Sequence, residues 1–117
     1  MGGKNMKQFF RKIGRIFTRS IDNQLNYKEV LNMIKKWQNV KLIDVRSIQE
    51  YNEGHIDGAI CIPLYELQSR IVEKVNNKDT VIILYCASGV RSLKGKDVLD
   101  KLGYKNVYNL KGGMNGI

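Results

Sequence analysis

The sequence predicts an α/β domain, a mostly parallel central sheet with helices on both faces. Two observations predict it. Short apolar runs recur along the chain, the clearest being Val81-Ile82-Ile83-Leu84-Tyr85, as in strands buried on both sides. Between these runs lie segments whose apolar residues fall at helical spacing. Strand and helix therefore alternate, and that alternation favours parallel strands joined by crossover helices.

The elements follow in order. Residues 22–26 read as a linker or turn. Tyr27 to Trp37 reads as a helix with Val30, Leu31, Ile34 and Trp37 on one face. Val40 to Val45 reads as a strand ending at Asp44-Val45-Arg46, and a short helical turn from Ile48 to Asn52 stops at Gly54. Ala59 to Ile62 is a short strand ended by Pro63. Leu64, Leu67, Ile71 and Val75 mark a helix closed by the Asn76-Asn77-Lys78-Asp79 turn. The Val81–Tyr85 strand comes next, then a tight loop, then a helix from Arg91 to Leu102 with Gly103 as its carboxyl cap. Asn106 to Leu110 is the last strand. No internal repeat or low-complexity tract interrupts this plan.

The 117 residues suit one domain able to bury a core. The net charge of +9 is uneven: residues 1–21 hold Lys4, Lys7, Arg11, Lys12, Arg15 and Arg19 and no acid, leaving 14 basic and 11 acidic residues for the remainder. The same segment places Met6, Phe9, Phe10, Ile13, Ile16 and Phe17 at helical spacing. Two parts are therefore expected: a basic amphipathic segment, 1–21, and a folded domain, 22–117. The leading segment has three open readings: a helix packed on the domain or a solvated arm, peripheral contact with an anionic membrane surface, and an organellar targeting peptide. No uncharged stretch approaches the roughly 18 residues of a spanning helix. Two cysteines make no disulfide framework. The free thiol the chemistry below requires points to a reducing, cytoplasmic setting. No metal cluster or nucleotide-binding glycine loop is present. Hence no cofactor, no metal and no nucleic-acid partner is expected, and the chain reads as a monomer.

The chemistry concentrates at Cys86-Ala87-Ser88-Gly89-Val90-Arg91-Ser92. A cysteine between a strand's carboxyl end and a helix's amino end faces unpaired N–H groups and the positive end of the helix dipole. Both favour the thiolate, which is the nucleophile, and Arg91 adds a positive charge nearby. The Cys86 thiol is therefore expected to titrate below an ordinary cysteine's roughly 8.5. Gly89 allows the backbone to bend around the sulfur. Ser88 and Ser92 are hydrogen-bond donors for an anion, and Ser92 is equally well explained as a helix-start residue.

This loop resembles the active loop of the single-domain rhodaneses, the thiosulfate sulfurtransferases. Leu42-Ile43-Asp44-Val45-Arg46, followed by Glu50 to Ala59, resembles the family's first signature, and Leu110-Lys111-Gly112-Gly113-Met114 its carboxyl-terminal one. The three blocks lie in the family's order over about residues 27–117. Two positions depart: Cys61 stands where the family often has Asn, and Ile117 where Trp commonly follows. The resemblance implies a rhodanese-like fold. It also implies a two-step displacement, in which Cys86 takes sulfur from a small anionic donor such as thiosulfate and passes it from a persulfide to cyanide, a thiol or a partner protein.

Other residues carry two readings each. Arg91 holds the loop or attracts the donor's anionic group; otherwise it is a solvated charge. Arg46 and Glu50 resemble family positions near the site mouth; otherwise they are surface charges or a structural ion pair. Asp44, at a buried strand end, reads as a structural acceptor. His55, the one histidine, reads as a turn residue rather than a base for the thiol. Cys61 reads as buried, with a resolving thiol as the lesser alternative. A persulfide carrier or redox-responsive binding module would need the same loop. A phosphatase loop of the form Cys-x5-Arg is one residue longer than the spacing here.

Overall fold

The computed structural model describes residues 23–117. The reading of residues 1–21 as an amphipathic segment lies outside them. Five strands form one sheet: β1 (Gln24–Leu25), β2 (Lys41–Asp44), β3 (Ile60–Cys61), β4 (Val81–Tyr85) and β5 (Asn106–Leu110). Their order is β1-β5-β4-β2-β3, and every neighbouring pair is parallel. The helices are α1 (Tyr27–Lys36), α2 (Ile48–Glu53), α3 (Leu64–Lys74) and α4 (Val90–Lys101), and a 3₁₀ turn, Gly113–Gly116, follows β5.

Both faces of the sheet are covered. On one, Leu67 and Ile71 of α3 and Leu99 of α4 pack with Ile43, Ile82, Leu84 and Val107. On the other, Val30 of α1 packs with Leu42, Ile83, Tyr85 and Tyr108, and Tyr51 of α2 joins them. The alternation of side chains along β4 feeds both cores, so its sequence is apolar throughout. Gly95 lets α4 approach closely: a Cβ there would meet Leu84 and Leu67 at 3.1 and 3.2 Å.

The predicted mostly parallel sheet with helices on both faces is present. One segment differs. Residues 22–26 were expected to be a linker or turn, yet Gln24–Leu25 is an edge strand registered with Asn109 and Leu110. Two residues are too few for a period to register, and pairing with β5 defines the strand. Asn26 caps α1 with a full capping box through Glu29. Among the described residues no helix is long and apolar enough to cross a membrane.

Candidate active site at the carboxyl ends of the strands

In a parallel sheet the loops after the strands meet at one edge, where α/β proteins bind ligands. Cys86 directly follows β4 at that edge and is 1% exposed. Gly89 follows in the left-handed region at φ 102° and caps α4. This turn folds the chain back on the sulfur. The Gly89 N–H donates to Cys86 Sγ at 3.1 Å and the Ser92 N–H at 3.4 Å. Ser92 is the third residue of α4, so the sulfur occupies the place a capping side chain takes at a helix start. The Ser92 hydroxyl lies 3.4 Å from Sγ and 3.1 Å from Gly89 O, and its single proton can be given to either.

These contacts decide the protonation of Cys86. Burial pushes its pKa up. The Ser92 hydroxyl and the N–H groups of Ser92, Gly89 and Ser88 outweigh burial, and the net shift is downward. The downward direction is the one the sequence predicts, and the loop and helix-start N–H groups it named are among the sources; Arg91 is not among the leading ones. Arg91, expected to supply positive charge, gives both terminal guanidinium nitrogens to Glu50, at 2.7 and 3.0 Å. Ser92→Ala is therefore expected to raise the midpoint of Cys86 alkylation and to slow alkylation severalfold at neutral pH. The check is a pH series of alkylation rates with Cys61 replaced by Ser. A thiol with a depressed native pKa adds stability above its unfolded value, which is lost as pH falls through the native value.

The structure joins Glu50 to the loop and leaves Arg46 out of it. Arg91 and the Ser47 cap hold the Glu50 carboxylate down to about 2. Its stabilising tether is complete above the ordinary carboxylate range and is lost as pH falls toward that value. Arg46, expected near the site mouth, is turned inward and 7% exposed. Its guanidinium bonds the Asp44 carboxylate and Gly54 O, at 2.7 and 2.6 Å through the same nitrogen. A buried carboxylate two residues earlier is the reason: it draws the charge inward rather than toward solvent. Asp44 is structural, as read. His55 is stacked on Tyr51 with its Nδ1 at Tyr51 O. Cys61 donates to Arg46 O at 3.6 Å, and burial pushes its thiol up. Ala87 is partly exposed, and Ser88 and Val90 are open to solvent. An open cleft of about 600 Å³ lies at the opposite edge of the sheet, lined by Trp37, Asn39, Lys41, Lys74 and Asn77, and carries no cysteine.

One contact escaped the sequence reading. Met114 N–H donates to Cys86 O at 2.9 Å, and Asn115 N–H to Ala87 O at 2.8 Å. The 3₁₀ turn after β5 thus grips the loop from behind. The Gly112-Gly113 pair was its visible signal.

The pattern of the Rhodanese-like domain family matches residues 26–117. The thiosulfate sulfurtransferase PspE of Escherichia coli strain K12 is 40% identical over 60% of this chain and 67% of its own. The putative sulfur carrier protein YrkF of Bacillus subtilis strain 168 is 31% identical over 96% of this chain and 60% of its own. A solved rhodanese with anions from E. coli superposes with a TM-score of 0.62 at 37% identity, covering 67% of this chain and 91% of that one. Across eight curated relatives this chain spans 19% to 67% of their length.

Proposed function

The chain belongs to the rhodanese-like domain family, and from that premise we propose that it transfers sulfane sulfur through a persulfide on Cys86. The observation that carries this reading is the sulfur itself, buried yet held by the Gly89 and Ser92 N–H groups. Such a cradle favours a thiolate, and the same inward donors suit the anionic persulfide that follows. In the first step the Cys86 thiolate attacks the outer sulfur of thiosulfate. A new S–S bond forms, the donor's S–S bond breaks, and sulfite leaves with the electron pair. In the second step a thiolate or cyanide attacks the outer sulfur of the persulfide. Cys86 departs as thiolate, ready for another cycle.

Cys86 is the catalytic residue in this reading. Ala87 to Ser92 form the anion cradle, and Glu50 pairs with Arg91. Four exposed apolar residues, Ile48, Tyr65, Val90 and Ile117, lie on the segments that follow β2, β3, β4 and β5. They support a protein-borne thiol as the acceptor. A second reading, a persulfide carrier with poor thiosulfate turnover, is favoured by the Arg91–Glu50 pair, which leaves less free positive charge for a small anion. Steady-state thiocyanate formation separates the two. The segment 1–21 is proposed to act apart from this chemistry, as a peripheral contact with anionic membrane, and 22–117 as the catalytic domain. The setting proposed for that chemistry is the cytoplasm.

The test is mass spectrometry of the intact chain after incubation with thiosulfate, which should gain one sulfur atom, removable by cyanide. An unchanged mass would overturn the reading. The loop is also expected to prefer sulfur donors to phosphate esters, because only four residues separate Cys86 from Arg91. Thiosulfate turnover should greatly exceed aryl phosphate hydrolysis, and efficient Cys86-dependent hydrolysis would count against the sulfur reading.

A further inference from the structure

Resting on the Cys86 reading and deepening it, we propose that the carboxyl-terminal turn, Gly113 to Asn115, is a positioning element that aims the loop's N–H groups at the Cys86 sulfur. Its backbone donors meet two successive loop carbonyls, Met114 N–H on Cys86 O and Asn115 N–H on Ala87 O. All described peptides are trans, so each carbonyl points opposite to the N–H that follows it. Drawing the Cys86 and Ala87 carbonyls toward the turn therefore sends the Ala87 and Ser88 N–H groups the other way. The Ser88 N–H is one of the donors that favour the anion on Cys86. Released from the turn, either peptide plane is free to rotate and present its carbonyl oxygen to the sulfur instead. A carbonyl dipole there repels a thiolate.

Gly113 makes the grip possible. Its φ is +59°, and a Cβ there would lie 2.3 Å from Cys86 O and 2.7 Å from both C and O of Ala87. No side chain fits without moving the loop. Gly112 also lies close to the loop: a Cβ on Gly89 would stand 3.5 Å from its nitrogen. The turn's hydrogen bonds thus end on the loop that carries the thiol, and Asn115 itself is exposed.

The experiment follows Cys86 alkylation by iodoacetamide against pH in the full chain, with Cys61→Ser as background. Gly113→Ala should raise the midpoint and slow alkylation below it about tenfold, the change that accompanies one unit in a titration midpoint. Asn115→Pro removes one donor without opening the core and should move the midpoint in the same direction by less. Gly103→Ala is the control. Gly103 also has positive φ, +94°, but nothing lies within 4 Å of its would-be Cβ. It should lower the melting temperature and leave the midpoint unmoved. Should Gly113→Ala not fold, Asn115→Pro decides. An unmoved midpoint in the folded turn variants, or an equal shift in Gly103→Ala, overturns the proposal. No sulfur donor enters this assay, so its outcome is separate from that of persulfide formation in the unaltered chain.

Discussion

Cys86→Ser is expected to reduce persulfide formation and sulfur transfer to background, while Cys61→Ser keeps most of both. A hydroxyl at position 86 would sit in the same cradle. It would not ionise there near neutral pH, and an alcohol is a poor nucleophile toward sulfur. Cys61 cannot replace it, because the sheet separates the two thiols. Cys61 and Tyr85 are both register partners of Asp44, so these three side chains point to one face. Cys86, next after Tyr85, points to the other. Cys61 is also the thiol that burial pushes up, whereas Cys86 is held down. Intact-mass measurement after thiosulfate, together with thiocyanate release, checks both variants. Persistent transfer in the Cys86 variant would overturn the assignment of the nucleophile.

Most of the fold was legible because each core strand and helix states its period locally. Val81–Tyr85 is apolar at every position, and that suits a strand with a core on each side. The carboxyl ends of α2 and α4 fall within a residue of those read from Gly54 and Gly103. The edge strand Gln24–Leu25 was not legible, since its identity lies in the partner, Asn109 and Leu110, 85 positions away. The cradle was legible in kind: a cysteine between strand and helix implies inward N–H groups. What held the cradle was not. Glu50 and Arg91 are 41 residues apart, and nothing near either one names the other. Spacing likewise leaves open whether a charge turns to solvent or inward. Arg46 carries both readings in the sequence, a mouth residue and a structural charge, and only the fold shows its pair with the buried Asp44 carboxylate. The role of Gly113 depends on where two distant backbones meet, and a sequence shows only that glycines stand there.

The largest effect on stability is expected from Asp44→Ala. Asp44 is fully buried, and the Arg46 side chain beside it is 9% exposed. The carboxylate accepts from Arg46 Nε and a terminal guanidinium nitrogen, and also from the Arg46 N–H at 2.9 Å. Removing it leaves a guanidinium in the interior with Gly54 O and the Tyr85 ring, 5.7 Å from the ring centroid. Breaking a buried pair in this one-sided way costs about 3–5 kcal/mol, because the remaining charge keeps its desolvation penalty. For a domain of this size that lowers the melting temperature by about 10 °C or more. Removing both charges is different. Asp44→Ala combined with Arg46→Met deletes the penalty along with the attraction, so the double variant should recover much of the lost stability. The site should feel the single change as well. Arg46 ties down Gly54 at the end of α2, and α2 carries Glu50 to Arg91. Chemical denaturation of the two single variants and the double variant measures the coupling. A loss below about 1 kcal/mol in Asp44→Ala, within the range of exposed pairs, would show that the pair is dispensable and that Arg46 finds water or another partner on its own.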